Sequence, residues 1–153
     1  MKQLKDCSNI ETSSTIYREE NGKEIIFKHD LYNIVCDVID IDGCVFNKVY
    51  GERSCDFLFL FDKNKQEYNL LNNKGSLAYY VELKGVDLES ACEQLQNTIE
   101  KTKGQIEGYN LNAIVVSNRD FNPKFDNNIF YRNVRRLINK NIVFALTPHT
   151  IDL

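Results

Sequence analysis

The sequence is short of several things that carry function in other proteins. Among 153 residues it has no tryptophan and only two histidines, His29 and His149. Neither histidine stands in a metal-ligand spacing or beside an obvious nucleophile. Both read as surface residues, so a Ser/His or Cys/His mechanism has little support. No apolar run approaches the about 20 residues of a membrane-spanning helix, which excludes that class of partner. There is no basic excess either. The net charge is −3 at pH 7, so a whole-domain attraction to nucleic acid is absent. The five cysteines, Cys7, Cys36, Cys44, Cys55 and Cys92, match no zinc spacing. An odd number without a signal peptide reads as reduced thiols of a cytoplasmic protein. Cys44 and Cys55 could neighbour each other on paired strands. No repeat or inter-domain linker interrupts the chain, so residues 1–153 read as a single domain long enough to bury a core.

What is present centres on two apolar stretches. In Ala78-Tyr79-Tyr80-Val81-Glu82-Leu83-Lys84-Gly85, alternation puts Tyr79, Val81 and Leu83 on one face and Tyr80, Glu82 and Lys84 on the other. Upstream, Arg53-Ser54-Cys55-Asp56-Phe57-Leu58-Phe59-Leu60-Phe61 is apolar on both faces, the pattern of a central strand covered on both sides. Asp56 stands at its mouth, on the Leu58 and Leu60 side by alternation. If the two strands share one sheet, Asp56 and Glu82 converge. Two carboxylates and a backbone carbonyl then form a hard-oxygen site suited to Mg²⁺. The plain alternative is a solvated strand end with an ordinary ion pair.

The rest of the chain supplies a framework. Residues 1–22 are polar, weakly patterned and loosely ordered, with a short helix from Ser13-Ser14 through Glu19-Glu20 and a turn at Asn21-Gly22. Lys23 to Lys28 and Asn33 to Phe46 read as strands. Residues 62–76 form a long connection with a short strand at Tyr68 to Leu71. Asp87 caps a helix whose stripe is Leu88, Ala91, Cys92, Leu95 and Ile99, and Gly104 ends it. Leu111 to Ser117 is an interior strand. Asn127 to Lys140 is a helix with Ile129, Phe130, Val134, Leu137 and Ile138 inward and Arg132, Arg135 and Arg136 outward. Ile142 to Leu146 is the last strand. Charge is uneven along this framework. Residues 1–100 hold 11 Lys/Arg against 18 Asp/Glu, whereas residues 101–153 hold 8 against 4. The basic end could face phosphate; a solvated helix face is the commoner reason for such a run.

Asp56, then Glu82-x-Lys84 on the next strand, then an amphipathic helix, resembles the PD-(D/E)xK nuclease superfamily. The resemblance runs from about Gly43 to Val116 and is carried by "CDFLF", "YVELKG" and the following Ala-Cys-Glu-Gln-Leu, which look like small stand-alone members. Cys55 takes the place of the proline in the family's name. The resemblance implies an α/β restriction-endonuclease-like core, a central mixed β-sheet flanked by helices. It also implies Mg²⁺-dependent hydrolysis of nucleic-acid phosphodiesters, DNA before RNA, with Mn²⁺ able to substitute. Asp56, Glu82 and the Leu83 carbonyl would bind the metal, and Asp56, Glu82 and Lys84 would be catalytic. Arg53 and Gln94 are the candidates to contact substrate, Gln94 because a glutamine on this helix faces the site in the exonuclease-like branch. Family members often carry another acid on an early helix, here Glu19 or Glu20, and many are homodimers.

Two rivals stand beside this reading. Val38-Ile39-Asp40-Ile41-Asp42-Gly43 resembles the nucleophile motif of haloacid-dehalogenase-type phosphatases, with Asp40 attacking phosphorus and Asp42 as acid/base. Ala113 to Asn118 resembles that family's second motif. Against it, no helix pattern follows Gly43 and no late acidic pair exists. Asp-Gly is also a common hairpin turn. An EF-hand is excluded because Val38 stands where its first acid belongs. The other rival is a binding or regulatory protein that keeps a nuclease fold without turnover.

Overall fold

The computed structural model describes residues 1–47, 53–83, 87–119 and 127–153. Its strands are β1 (Ser8–Ser13), β2 (Thr15–Glu20), β3 (Lys23–Lys28), β4 (Ile34–Asp40), β5 (Phe57–Phe61), β6 (Leu77–Glu82), β7 (Asn110–Ser117), β8 (Val143–Leu146) and β9 (His149–Asp152). The helices are α1 (Leu88–Thr102) and α2 (Ile129–Ile138). The main sheet has six strands in the order β1-β4-β5-β6-β7-β8. It is mixed: β1, β4, β5 and β6 pair antiparallel in turn, whereas β6, β7 and β8 run parallel. The parallel half follows from the helical crossovers, since α1 joins β6 to β7 and α2 joins β7 to β8. The protein is thus an α/β fold with a central mixed sheet.

The two-residue period of the strands divides the core cleanly. Leu58, Leu60, Ala78, Tyr80, Ala113 and Val115 face α1 and α2, where they meet Ala91, Cys92, Leu95, Ile99, Tyr131, Val134 and Ile138. Phe59, Phe61, Leu77, Val81, Ile114 and Val116 face the other way. That second face is covered by a three-stranded sheet, β2-β3-β9, through Ile16, Ile25 and Phe27, and by Leu70 and Leu71. Helices therefore cover one side and a small sheet the other. Phe27 lies 4.6 Å from Phe59 and 5.1 Å from Phe61 between ring centroids, which makes it the knob that joins the two sheets.

Several sequence expectations fail for identifiable reasons. Residues 8–20 are two strands rather than a loose segment with a helix. Among the described residues, β1 pairs only with β4, and β2 only with β3. Such edges bury little, and Ile16 is the one fully buried residue of the pair, so the alternation that betrays a strand is missing. Glu19 accepts the Gly22 amide at the hairpin turn (2.6 Å) and lies on no helix. That turn is where the sequence puts it. Asn21 and Gly22 have φ of 51° and 78°, the doubly positive pattern of a tight Asn-Gly hairpin.

Tyr68 to Leu71 is a run of turns, not a strand. Tyr68, Asn69, Asn72 and Asn73 all take positive φ, a region asparagine enters more readily than most residues. In α2, Ile129 is 58% exposed and Tyr131 takes the inward place. The Asn128 side chain caps the helix by accepting the Phe130 and Tyr131 amides, and this sets the helix phase. Asp42 and Gly43 form a turn, with the Phe46 amide donating to Ile41 O at 3.1 Å. No helix follows Asp40 in this turn. β9 has no counterpart in the sequence reading.

The cysteine reading is corrected. Cys7 and Cys44 form a disulfide; Cys36, Cys55 and Cys92 are free and buried. The register Ser8↔Ile39 brings the start of β1 beside the end of β4. The turn after β4 then folds back, with the Lys2 amide donating to Val45 O at 2.9 Å. Residues 37 apart in sequence thus become neighbours, which spacing alone does not reveal. A disulfide also removes the argument on which the cytoplasmic expectation rested. Among the described residues, no helix is long and apolar enough to cross a membrane.

Two outcomes follow. Cys44→Ser, or reduction of the native protein, should cost about 3–4 kcal/mol from the closed loop alone. Denaturant titration with and without reductant measures it, and superimposable curves would refute a structural role. The second concerns alkaline pH. Burial pushes the Cys92 thiol up to about 12 and also raises those of Cys36 and Cys55. Above about pH 9 the unfolded chain loses thiol protons that the folded chain keeps, so the unfolded state binds fewer. Stability should then fall with rising pH by up to about 1.4 kcal/mol per unit for each thiol. Unfolding midpoints at pH 7, 9 and 10.5 test the slope.

Candidate active site at the ends of β5 and β6

β5 and β6 are paired with Phe57 opposite Val81. Asp56 enters β5 at the end where Glu82 closes β6, so the hairpin register delivers both acids to one rim of the sheet. Asp56 holds that rim together. Its amide donates to Val81 O at 3.1 Å, and its carbonyl accepts from the Ile41 amide at 3.0 Å and the Asp42 amide at 3.4 Å. Its carboxylate Oδ2 accepts the Leu83 amide at 2.7 Å. Three chain segments therefore meet on one residue that is only 5% exposed.

The alternation of the strand breaks at this point. Cys55 packs in the helix-side core while Phe57 packs toward the small sheet, although a regular strand would put them on the same face. Asp56 sits at the break, where one oxygen stands in for a strand carbonyl toward Leu83. Simple alternation from Leu58 is thus not what orients it.

Glu82 shares the parity of Ala78 and Tyr80 and points to the helix side. It is 0% exposed. An ionised carboxylate removed from water requires a counter-charge, hydrogen bonds or a cation. Lys84 and Gly85 lie outside the described residues. The two acids share a neighbour in Cys55. Burial raises this thiol most; the negative charge of Glu82 raises it further and that of Asp56 adds less, while a hydrogen bond with Thr98 works the other way.

Helix α1 fixes this rim from one side with a ladder that the sequence reading missed. Thr98 Oγ1 accepts the Cys55 amide at 2.9 Å and donates to Gln94 O at 2.8 Å. Thr102 Oγ1 donates to Thr98 O at 2.7 Å and contacts the Tyr80 hydroxyl at 2.8 Å. The signal was legible: Thr98 and Thr102 continue the 91, 95 stripe at helical spacing. Two hydroxyls on an apolar stripe call for buried partners.

The other candidates fall into place on α1. The Arg53 guanidinium donates to Ser90 Oγ at 3.0 Å and pairs with Glu93 at 3.4 Å, and its carbonyl accepts from the Asn97 amide group. It is half exposed and borders a hollow of about 470 Å³ with Glu93, Asn97 and Glu100. Neither Asp56 nor Glu82 lines this hollow. Gln94 is half-buried on α1, and its carbonyl carries the Thr98 bond. Of the rival motif, Asp40 is exposed at the end of β4 and Asp42 lies within the turn.

Mg²⁺ is commonly held by one or two carboxylates, with water and phosphate oxygens completing the shell. Asp56, Glu82 and the Leu83 carbonyl are an all-oxygen set of that type. Carboxylate and carbonyl oxygens suit a hard cation. Among the described residues, no group of three or more His, Cys, Asp or Glu side chains is arranged to hold a metal. A cation here would depend on two carboxylates. Comparison of the chain with family models, with curated proteins and with solved structures finds no match.

The double role of Asp56 can be separated. Asp56→Ala leaves the buried Leu83 amide without its acceptor and should cost about 1–3 kcal/mol. Asp56→Asn keeps an oxygen in place and should cost clearly less. Equal unfolding midpoints for the two variants would mean that the Leu83 bond contributes nothing.

Proposed function

We propose that this protein is a Mg²⁺-dependent nuclease built on a restriction-endonuclease-like core, acting on DNA in preference to RNA. One observation carries the reading. Two carboxylates, Asp56 and Glu82, are withdrawn from water at one end of the β5–β6 pair, beside a single thiol. Burying two acids together is costly. Two acids so placed would hold a divalent cation, which in turn would bind a phosphodiester.

In this reading the carboxylates of Asp56 and Glu82 and the Leu83 carbonyl hold the ion. Bound there, Mg²⁺ would polarise the phosphate and acidify the attacking water. The Leu83 amide holds the Asp56 carboxylate in one orientation, so this ligand would be in place before substrate arrives. Lys84 would orient the attacking water and balance charge as the phosphorus gains its fifth oxygen. Water adds to phosphorus, one P–O ester bond breaks, and the leaving oxygen takes up a proton. Arg53 would reach phosphate only by exchanging Glu93 for it. Gln94 would act from the half-buried flank of α1.

A second reading has its own support. The Leu83 bond gives Asp56 a purely structural task, which a protein without turnover would also need. Such a protein would use the same core to bind nucleic acid.

The test is cleavage of plasmid, single-stranded and duplex DNA, and RNA, with Mg²⁺, Mn²⁺ or chelator. Asp56→Asn, Glu82→Gln and Lys84→Ala should each lower the rate by about a hundredfold or more, with far-UV spectra unchanged. Full cleavage by folded Lys84→Ala would remove the lysine from the mechanism. No metal-dependent cleavage by the wild type, Mn²⁺ included, would leave the binding protein.

A further inference from the structure

We propose that the basic hollow at the C-terminal end of α2 binds the phosphate backbone of a nucleic acid. This surface is separate from the rim that carries Asp56 and Glu82. Arg132, Arg135, Arg136, Asn139, Lys140 and Asn141 enclose an open hollow of about 560 Å³. Every lining side chain carries a hydrogen-bond donor, and none is acidic or apolar. The three arginines are exposed. Among the described residues none of the three enters an ion pair with an acid. In a chain of net charge −3, four cations around one hollow are a local reversal of sign.

Helix stability accounts for only part of this. Arg135 and Arg136 lie in the last turn, where cations offset the negative end of the helix. Arg132 lies a turn earlier. Lys140 lies beyond the helix, and its ammonium is held by Asn110 Oδ1 at 2.7 Å and Asn112 Oδ1 at 3.2 Å. Partial burial lowers its pKa. Two asparagines of β7 therefore set the position of a charge that the helix end does not need. The helix terminus contributes only about half a negative charge, so four cations leave the hollow strongly positive.

The chemistry favours phosphate over an acidic protein surface. Guanidinium forks match two oxygens of one phosphate, and Asn139 and Asn141 add neutral donors. A protein partner would need apolar side chains at the centre of its interface, and none lines this hollow. Arg132 and Arg136 stand one helical turn apart, about 6 Å along the axis. Along a duplex axis each strand carries one phosphate per about 3.4 Å, and its neighbouring phosphates lie further apart in space, so the row is scaled to two of them.

The choice of nucleic acid as the polyanion rests on the nuclease reading; the affinity of the hollow for phosphate does not. The experiment is fluorescence anisotropy of a labelled duplex of about 20 base pairs, in chelator, from about 50 to 200 mM salt. The wild type should bind with a clear salt dependence. The triple variant Arg132→Gln/Arg135→Gln/Arg136→Gln should bind at least about tenfold more weakly, with a log–log salt slope shallower by about 2–3. The corresponding triple Lys variant should keep the slope. No salt-dependent binding by the wild type overturns the proposal, whatever becomes of the variants. So does an unchanged slope in a folded triple Gln variant. Tighter binding of poly-glutamate than of the duplex overturns it in favour of an acidic protein partner. Because metal is chelated, cleavage plays no part in this readout. An active Asp56→Asn enzyme would sink the nuclease reading without touching this result, and failure here would leave cleavage at the other rim intact.

Discussion

The hydrogen bond from the Leu83 amide to the Asp56 carboxylate is the constraint on which the rim of the sheet depends. It replaces a strand carbonyl with a side-chain oxygen where the alternation of β5 fails. The same residue takes the Ile41 and Asp42 amides on its other side. One aspartate thereby closes the ends of β4, β5 and β6 together. A short, charge-assisted bond shielded from water is stronger than its exposed equivalent. It also holds the carboxylate in a single orientation, which any chemistry at this rim would use.

The surroundings of that bond reinforce it from two sides. On the helix side, Thr98 and Thr102 give the buried polar groups of Cys55 and Tyr80 their partners, so α1 is pinned to the strands by hydrogen bonds as well as by packing. On the outer side, the Cys7–Cys44 disulfide closes the turn whose amides meet the Asp56 carbonyl. The two acids therefore sit in a frame that resists rearrangement. The basic hollow on α2 lies on a different part of the surface and is built differently. Its cations are exposed and held by a helix face and two asparagines, an arrangement suited to a partner that brings its own charge.

Much of this was legible because the interior strands obey strict rules. β5 and β7 are covered on both faces, and their apolar runs read as interior strands for that reason. Asp87 and Asn128 cap helices because their side chains take up amides that have no other acceptor. Asn21-Gly22 turns because both residues tolerate positive φ. The illegible parts obey weaker rules. β1 and β2 are edges with little to bury, and β9 is four residues after a proline. The turns at Tyr68 to Asn73 hide two buried leucines in a polar context.

The sequence by itself determined the central strands, the two helices and the two acids at strand ends, because local periodicity and capping are written in neighbouring residues. Only the tertiary structure decided that Cys7 meets Cys44, that Asp56 serves the Leu83 amide, that Thr98 and Thr102 reach the strands, and that a second sheet covers the far face. Each of these joins residues distant in the chain through strand register or helix docking. Register is a property of the whole packed core, and no local window contains it.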